Sequence, residues 1–364
     1  MDGMYELVLR SMAWDGYRPI CMSEKGRSSD RRGCDLGPSI ILDKCAWQAL
    51  SRAEIIQLHA RYYVVYPPIL FREVLGDLMK RFTKGKLAED QVRGVAGKFF
   101  SMDSCINVNW ATICKHSLQG DHCPMDGRAV NRDAKRVTSR GGGYGTMVDY
   151  TAACRDFLRW REGGFSEAES LKAQAWREKS RTADLQVLAG NMKCLFPQVP
   201  KAVCLVDLTQ HVDEFLACAD REWQQTWLRA FMGILRLSPN VVDEVCERWR
   251  TAEMPPFSEF APYAFFCFRA LTIFCLGLDA ELVTPRSTNL VDLEYLLYLP
   301  FCKVFSTDDK FLKAMCPHLL REDQELIEGR DLKHQLSEAV AQAQPKRSQP
   351  ADNQHGQSPG DQDA

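Results

Sequence analysis

The sequence predicts an α/β protein whose parallel strands are joined by helical crossovers and interrupted by a long, mainly helical segment. Two apolar runs, SIIL at 39–42 and YYVVY at 62–66, are each followed by a stretch of helical spacing. A strand–helix–strand–helix order calls for parallel strands. A third run, KVFST at 303–307, follows a helix-like segment, NLVDLEYLLYL, that Pro300 stops, since proline has no N–H to donate.

Residues 1–38 read as an N-terminal extension containing the polar stretch SEKGRSSDRRGCDLGP. Residues 39–86 form the first half of the α/β unit. Here LSRAEIIQLHARY offers Leu50, Ile55, Ile56 and Leu58 to a core, and Pro67 and Pro68 suit the start of a helix carrying Glu73. From 87 to 260 strand–helix alternation fades, apart from a short apolar run at 202–207. Helices are expected at 151–162, 167–181, 210–236 and 241–250, carrying Trp160, Trp176, Trp223, Trp227 and Trp249. GGGYG at 141–145 lacks the Lys-Ser/Thr ending of a phosphate-binding P-loop and reads as a plain loop. The α/β pattern resumes over 261–340, with 311–336 read as continuous helix. Residues 341–364 have the polar, Pro- and Gln-containing composition of a disordered tail.

Composition excludes several classes. The chain has 364 residues, 45% hydrophobic and 26% charged, with a formal net charge of −2. That is a globular composition with no overall basic signature. Fifteen cysteines scattered along so long a chain, without a signal-like start, read as reduced and mostly buried. FFCFRALTIFCLGL at 265–278 contains Arg269 and reads as a buried core helix rather than a membrane span. The expectation is a cytoplasmic protein with no membrane partner.

Four acids fall at matching places. Asp43 follows the first strand, Glu73 lies on a following helix, Asp292 heads a late helix and Asp309 follows the late strand. Each has an ordinary reading as well: Asp292 as a capping-box acid for Asn289, and Asp308 as a helix N-cap. If the two strands are neighbours, the four carboxylates converge at the strand ends, where ligands bind in open α/β sheets.

In ordered motifs the chain resembles the PIN-domain nucleases, and specifically a bacterial subgroup of PIN-like proteins. ILDKCAWQALS is similar to their opening strand with its first acid, FREVLGDL to the helix bearing the second, NLVDLEYLLYL to the helix bearing the third, and VFSTDDKF to the strand ending in Thr-x-Asp. The likeness covers roughly 39–83 and 262–335, and the large insertion departs from a minimal domain of this kind. It implies a three-layer α/β/α fold and a metal-dependent endonuclease, with single-stranded RNA preferred to DNA as substrate.

The chemistry of such a cluster is simple. Two carboxylates ~4 Å apart repel by roughly 4 kcal/mol at an effective dielectric of 20, so they hold protons or cations. Oxygen-rich sites suit Mg²⁺ or Mn²⁺. Asp43, Asp292 and Asp309 are the expected ligands, and Glu73 a ligand or water-orienting group. Thr307 and Asn289 are expected to support them, with Glu294 and Asp308 as substitute acids. Lys80, Arg81, Lys84 and Lys86, and then Arg128, Arg132, Lys135, Arg136 and Arg140, are candidate phosphate contacts or solvated basic faces.

Other readings compete. CKHSLQGDHC places Cys114, His116, His122 and Cys123 together, but without a CxxC pair or standard zinc spacing. An aspartyl-nucleophile phosphatase needs an acid where Cys45 stands. No Cys–His pair stands out as a hydrolase centre. The main alternative is a non-catalytic α/β scaffold whose helical insertion binds a protein or nucleic-acid partner, with the acids serving as caps. Self-association or a regulatory protein partner fits either reading.

Overall fold

The computed structural model describes residues 37–80, 87–99, 104–130, 135–138, 144–147, 151–182, 184–218 and 220–343. Almost all of the expected N-terminal extension and tail lies outside them. The strands are β1 (Ser39–Leu42), β2 (Tyr63–Tyr66), β3 (Ser104–Ile106), β4 (Lys135–Thr138), β5 (Tyr144–Met147), β6 (Val304–Thr307) and β7 (Glu325–Glu328). The helices of the first half are α1 (Lys44–Ala49), α2 (Arg52–Arg61), α3 (Pro68–Gly76), α4 (Ala88–Ala96) and α5 (Trp110–Leu118). The central helices are α6 (Thr151–Arg161), α7 (Glu167–Thr182), α8 (Leu185–Leu195), α9 (Leu205–Cys218), α10 (Arg221–Ile234) and α11 (Pro239–Thr251). After them come α12 (Phe257–Phe260), α13 (Pro262–Asp279), α14 (Asn289–Leu296), α15 (Lys310–Met315) and α16 (Gly329–Ala343).

One five-stranded sheet has the order β3-β2-β1-β6-β7, every pairing parallel. Successive strand residues point to opposite faces, and all four residues of β1 and of β6 are buried. Both faces are therefore covered, as in a three-layer α/β/α arrangement. Ile40, Ile41 and Leu42 stand beside Val304, Phe305 and Ser306, so the strands at 39–42 and 304–307 are neighbours. From β1 the chain steps outward to β2 and β3, and the later strands lie on the other side. The order thus reverses between β1 and β6.

Local chemistry accounts for the helix starts. Asp43 caps α1 by accepting from the Ala46 N–H, Ser51 and Glu54 form a reciprocal capping box on α2, and Pro68 opens α3. The apolar helix α13 is the core helix: 72% of its apolar window is buried, and it packs on α5, α8, α9 and α12. Arg269 leaves this core at its edge, where its guanidinium makes two hydrogen bonds to Asp213 and another to the His318 carbonyl. Buried side chains from the sheet and from the central helices form one hydrophobic cluster.

Several expectations need correction. The segment read as an insertion supplies β3, an edge strand of the sheet, at Ser104–Ile106; three residues are too few to show a period. The same segment contains the antiparallel β4–β5 pair, and Tyr144 of the expected glycine loop belongs to β5. The apolar run at 202–207 is no strand: Leu205 begins α9, and Val203 and Val206 are exposed. Residues 311–336 are not continuous helix, because Glu325–Glu328 forms edge strand β7. Glutamate and leucine favour helix, yet charged side chains also suit a sheet edge. Ile56 is exposed, the buried stripe of α2 being Ile55 and Leu58. The helix expected at 210–236 is two helices, with Asp220 capping the second.

Candidate active site

Asp43 and Thr307 leave adjacent strands at the point where the strand order reverses, which in open α/β sheets is the ligand crevice. The Asp43 carboxylate is 3% exposed, low enough for its neighbours to decide its charge. Its Oδ1 accepts from the Ala46 N–H at 2.7 Å and its Oδ2 from the Thr307 hydroxyl at 2.8 Å. The Thr307 oxygen in turn accepts from the Asp309 N–H at 3.0 Å. A chain of two hydrogen bonds thus ties the first acid to the last across the β1–β6 junction. Asp309, and not Asp308, is the N-cap of α15: its Oδ1 accepts from Phe311 and Leu312.

Asp292 sits in the first turn of α14, but the N-cap is Thr288, and the Asp292 carboxylate accepts no hydrogen bond among the described residues. Its capping-box role is therefore not realised. Glu73, on α3, is partly exposed and accepts from the Tyr295 hydroxyl at 2.5 Å. Lys44, buried beside Asp43, donates to Asp77 at 2.7 Å and to the Glu73 carbonyl at 3.1 Å. Tyr295 and Lys44 lie inside the quoted motifs without being marked as site residues, and only the folded arrangement brings them to the acids.

The acids feel one another. Burial, aided by the charges of Glu73 and Asp309, pushes Asp43 up to about 7, against hydrogen bonds from Ala46 and Thr307. Burial, then Glu73, Asp309 and Asp43, push Asp292 up to about 8. Burial also raises Glu73, opposed by Lys44 and by the Tyr295 hydrogen bond. Because neutral Asp43 and Asp292 are favoured in the fold, their stabilising contribution is fully present below the unfolded value near 3.8. It is lost as pH rises through 7 and 8. In chelator, the melting temperature of the wild type is therefore expected to fall between pH 5 and pH 8. Asp292→Asn should flatten that fall by on the order of 2 kcal/mol, and Asp292→Ala should melt no lower than wild type at pH 8. Parallel melting curves against pH for the three proteins would count against a shared electrostatic site.

The remaining candidates lie elsewhere. Glu294, named as a substitute acid, is buried in an ion pair with Arg72. Asp308 is exposed and accepts from the Arg330 N–H at the start of α16, where Gly329 leaves room for its carboxylate. The Asn289 amide donates to the Thr284 carbonyl. Lys80 pairs with Asp77, and exposed Arg128 pairs with Asp126. Lys135 and Arg136 lie in β4, while Arg81, Lys84, Lys86, Arg132 and Arg140 fall outside the described residues.

The rival zinc reading of Cys114, His116, His122 and Cys123 finds no ligand group among the described residues. Cys114 is buried against Cys267, His116 meets Asp121, and His122 is exposed. The thiols do not favour nucleophilic chemistry either: burial and then the neighbouring Asp43 push Cys45 up to about 11, whereas reactive thiols are shifted down. Cys45, Cys114, Cys194, Cys246, Cys267, Cys275, Cys302 and Cys316 form no disulfide.

No three His, Cys, Asp or Glu side chains among the described residues stand grouped as the ligands of one metal ion. The donor chemistry nevertheless fits a hard divalent cation. Asp292 carries no hydrogen bond among the described residues, and Asp309 spends only Oδ1 on its helix. Both acids and Glu73 reach their present places as side chains that rotamer changes can move. Compared with known proteins, the chain matches no family model, no curated protein and no solved structure.

Proposed function

We propose that the protein is a divalent-metal-dependent endonuclease with a PIN-like site, hydrolysing phosphodiester bonds in single-stranded RNA. The observation that carries this reading is the Asp43–Thr307–Asp309 chain across the β1–β6 junction, with burial and then the charges of Glu73 and Asp309 raising both Asp43 and Asp292. A cluster of mutually repelling carboxylates at a strand-end crevice is costly for a scaffold and useful for binding cations.

Asp43, Asp292 and Asp309 would hold Mg²⁺ or Mn²⁺. The bound ion would supply a water of lowered pKa and charge to steady the departing oxygen. Thr307 keeps the Asp43 carboxylate turned toward the crevice. Glu73 has its Oε2 occupied by Tyr295, so Oε1 is the atom that accepts a proton from an attacking water or completes the ligand set. The preference for RNA follows from the motif resemblance.

The test uses the purified full chain with a single-stranded RNA oligonucleotide and a DNA oligonucleotide of the same sequence. In millimolar Mn²⁺ the RNA is expected to be cut internally, the DNA more slowly, and neither in chelator. An intact RNA at every Mn²⁺ and Mg²⁺ concentration would overturn the reading, and equal cutting of both strands would overturn its RNA preference.

A further inference from the structure

Helices α3 and α14 meet through two consecutive residues on each. Arg72 pairs with Glu294, both nearly inaccessible, and Glu73 accepts from Tyr295. Asp292 lies three residues before Tyr295, on the same side of α14. One helix face therefore presents an acid and, a turn later, the group that holds another acid.

We propose that Tyr295 is a positioning residue for Glu73, fixing its carboxylate beside Asp292 and Asp43 so that the site receives its cation with one acid already placed. This rests on the nuclease reading and adds a residue to it. Tyr295 is 1% exposed, so water does not compete for its hydroxyl. Burial and the Glu73 charge keep the phenol protonated, and it donates. Hydrogen-bonded partners of metal-binding side chains typically change metal affinity by about 10–100-fold when removed. A buried tyrosine also needs a partner for its own sake, and that role alone would not change cation binding.

The test measures Mn²⁺ binding by calorimetry and melting temperature in chelator for wild type, Tyr295→Phe, Glu73→Gln and the double variant. Tyr295→Phe keeps the ring, and its melting temperature reports whether the fold is retained. Mn²⁺ affinity is expected to drop about 10-fold in Tyr295→Phe, with little further change when the same substitution is made in Glu73→Gln. Loss of the same size in both backgrounds, or affinity within twofold of wild type in Tyr295→Phe, overturns the positioning role and leaves the nuclease reading standing. A wild type that binds no Mn²⁺ overturns both. If Tyr295→Phe melts far below wild type, Glu73→Gln decides instead. A Glu73→Gln affinity equal to wild type removes the acid through which Tyr295 acts, and a weakened one keeps the role.

Discussion

Asp292→Asn is expected to cut single-stranded RNA at least about 100-fold more slowly than wild type in Mn²⁺, and Asp43→Asn to behave alike. The magnitude follows from removing a cation-binding carboxylate outright, since loss of a mere hydrogen-bonding partner of such a group already costs about 10–100-fold. Fold loss is not the expected cause in either variant, and melting temperature in chelator checks this, since the Asp43→Asn amide nitrogen cannot accept from the Thr307 hydroxyl. Asparagine caps helices as well as aspartate does, so the amide oxygen introduced by Asp43→Asn retains the bond from the Ala46 N–H that the carboxylate makes. Asp292 makes no hydrogen bond among the described residues for its replacement to lose, and relief of repulsion favours the variant in chelator. RNA binding measured without divalent metal should stay close to wild type, which separates chemistry from capture. Retention of more than a tenth of the wild-type rate in both variants would refute the assignment of these acids.

The part of the site legible in the sequence was the part carried by strand ends. SIILD reads as a buried strand with an acid beyond it because four consecutive apolar or small residues suit a strand covered on both faces. VFSTDD reads likewise, and the β1–β6 pairing puts the two side by side. The choice between Asp308 and Asp309 as cap was not legible, since both can cap. The structure gives Asp309 to α15 and Asp308 to α16 because the β7 turn brings the Arg330 N–H to Asp308. Tyr295 and Lys44 were invisible for a different reason: an apolar helix stripe gives no sign of which hydroxyl will meet a carboxylate from another helix. The edge strands β3 and β7 escaped because one is three residues long and the other is written in helix-forming residues. Single-sequence periodicity sees neither.

The largest stability effect is expected from the buried pair that joins α3 to α14. Arg72 is 4% exposed and Glu294 is 2% exposed, so neither charge can turn to water if the other is lost. Burial raises Glu294 to about 7 even with Arg72 pulling it down. In Arg72→Met the carboxyl loses that pull, its pKa rises further, and the stability it contributes as a neutral group is lost as pH climbs through the new value. The variant is therefore expected to cost about 3–5 kcal/mol at pH 8 and less at pH 5, where Glu294 can take up a proton. Replacing both partners with apolar residues, Arg72→Met with Glu294→Leu, removes the stranded charge and should recover most of the loss, because buried ion pairs often exchange for well-packed apolar groups at little cost. Urea unfolding of the two single variants and the double variant at both pH values measures the coupling. Additive losses would mean that the pair does not act as a unit. Recovery of stability in the double variant, with Mn²⁺ affinity still weakened, would show that the pair sets the register in which Glu73 and Asp292 face one another.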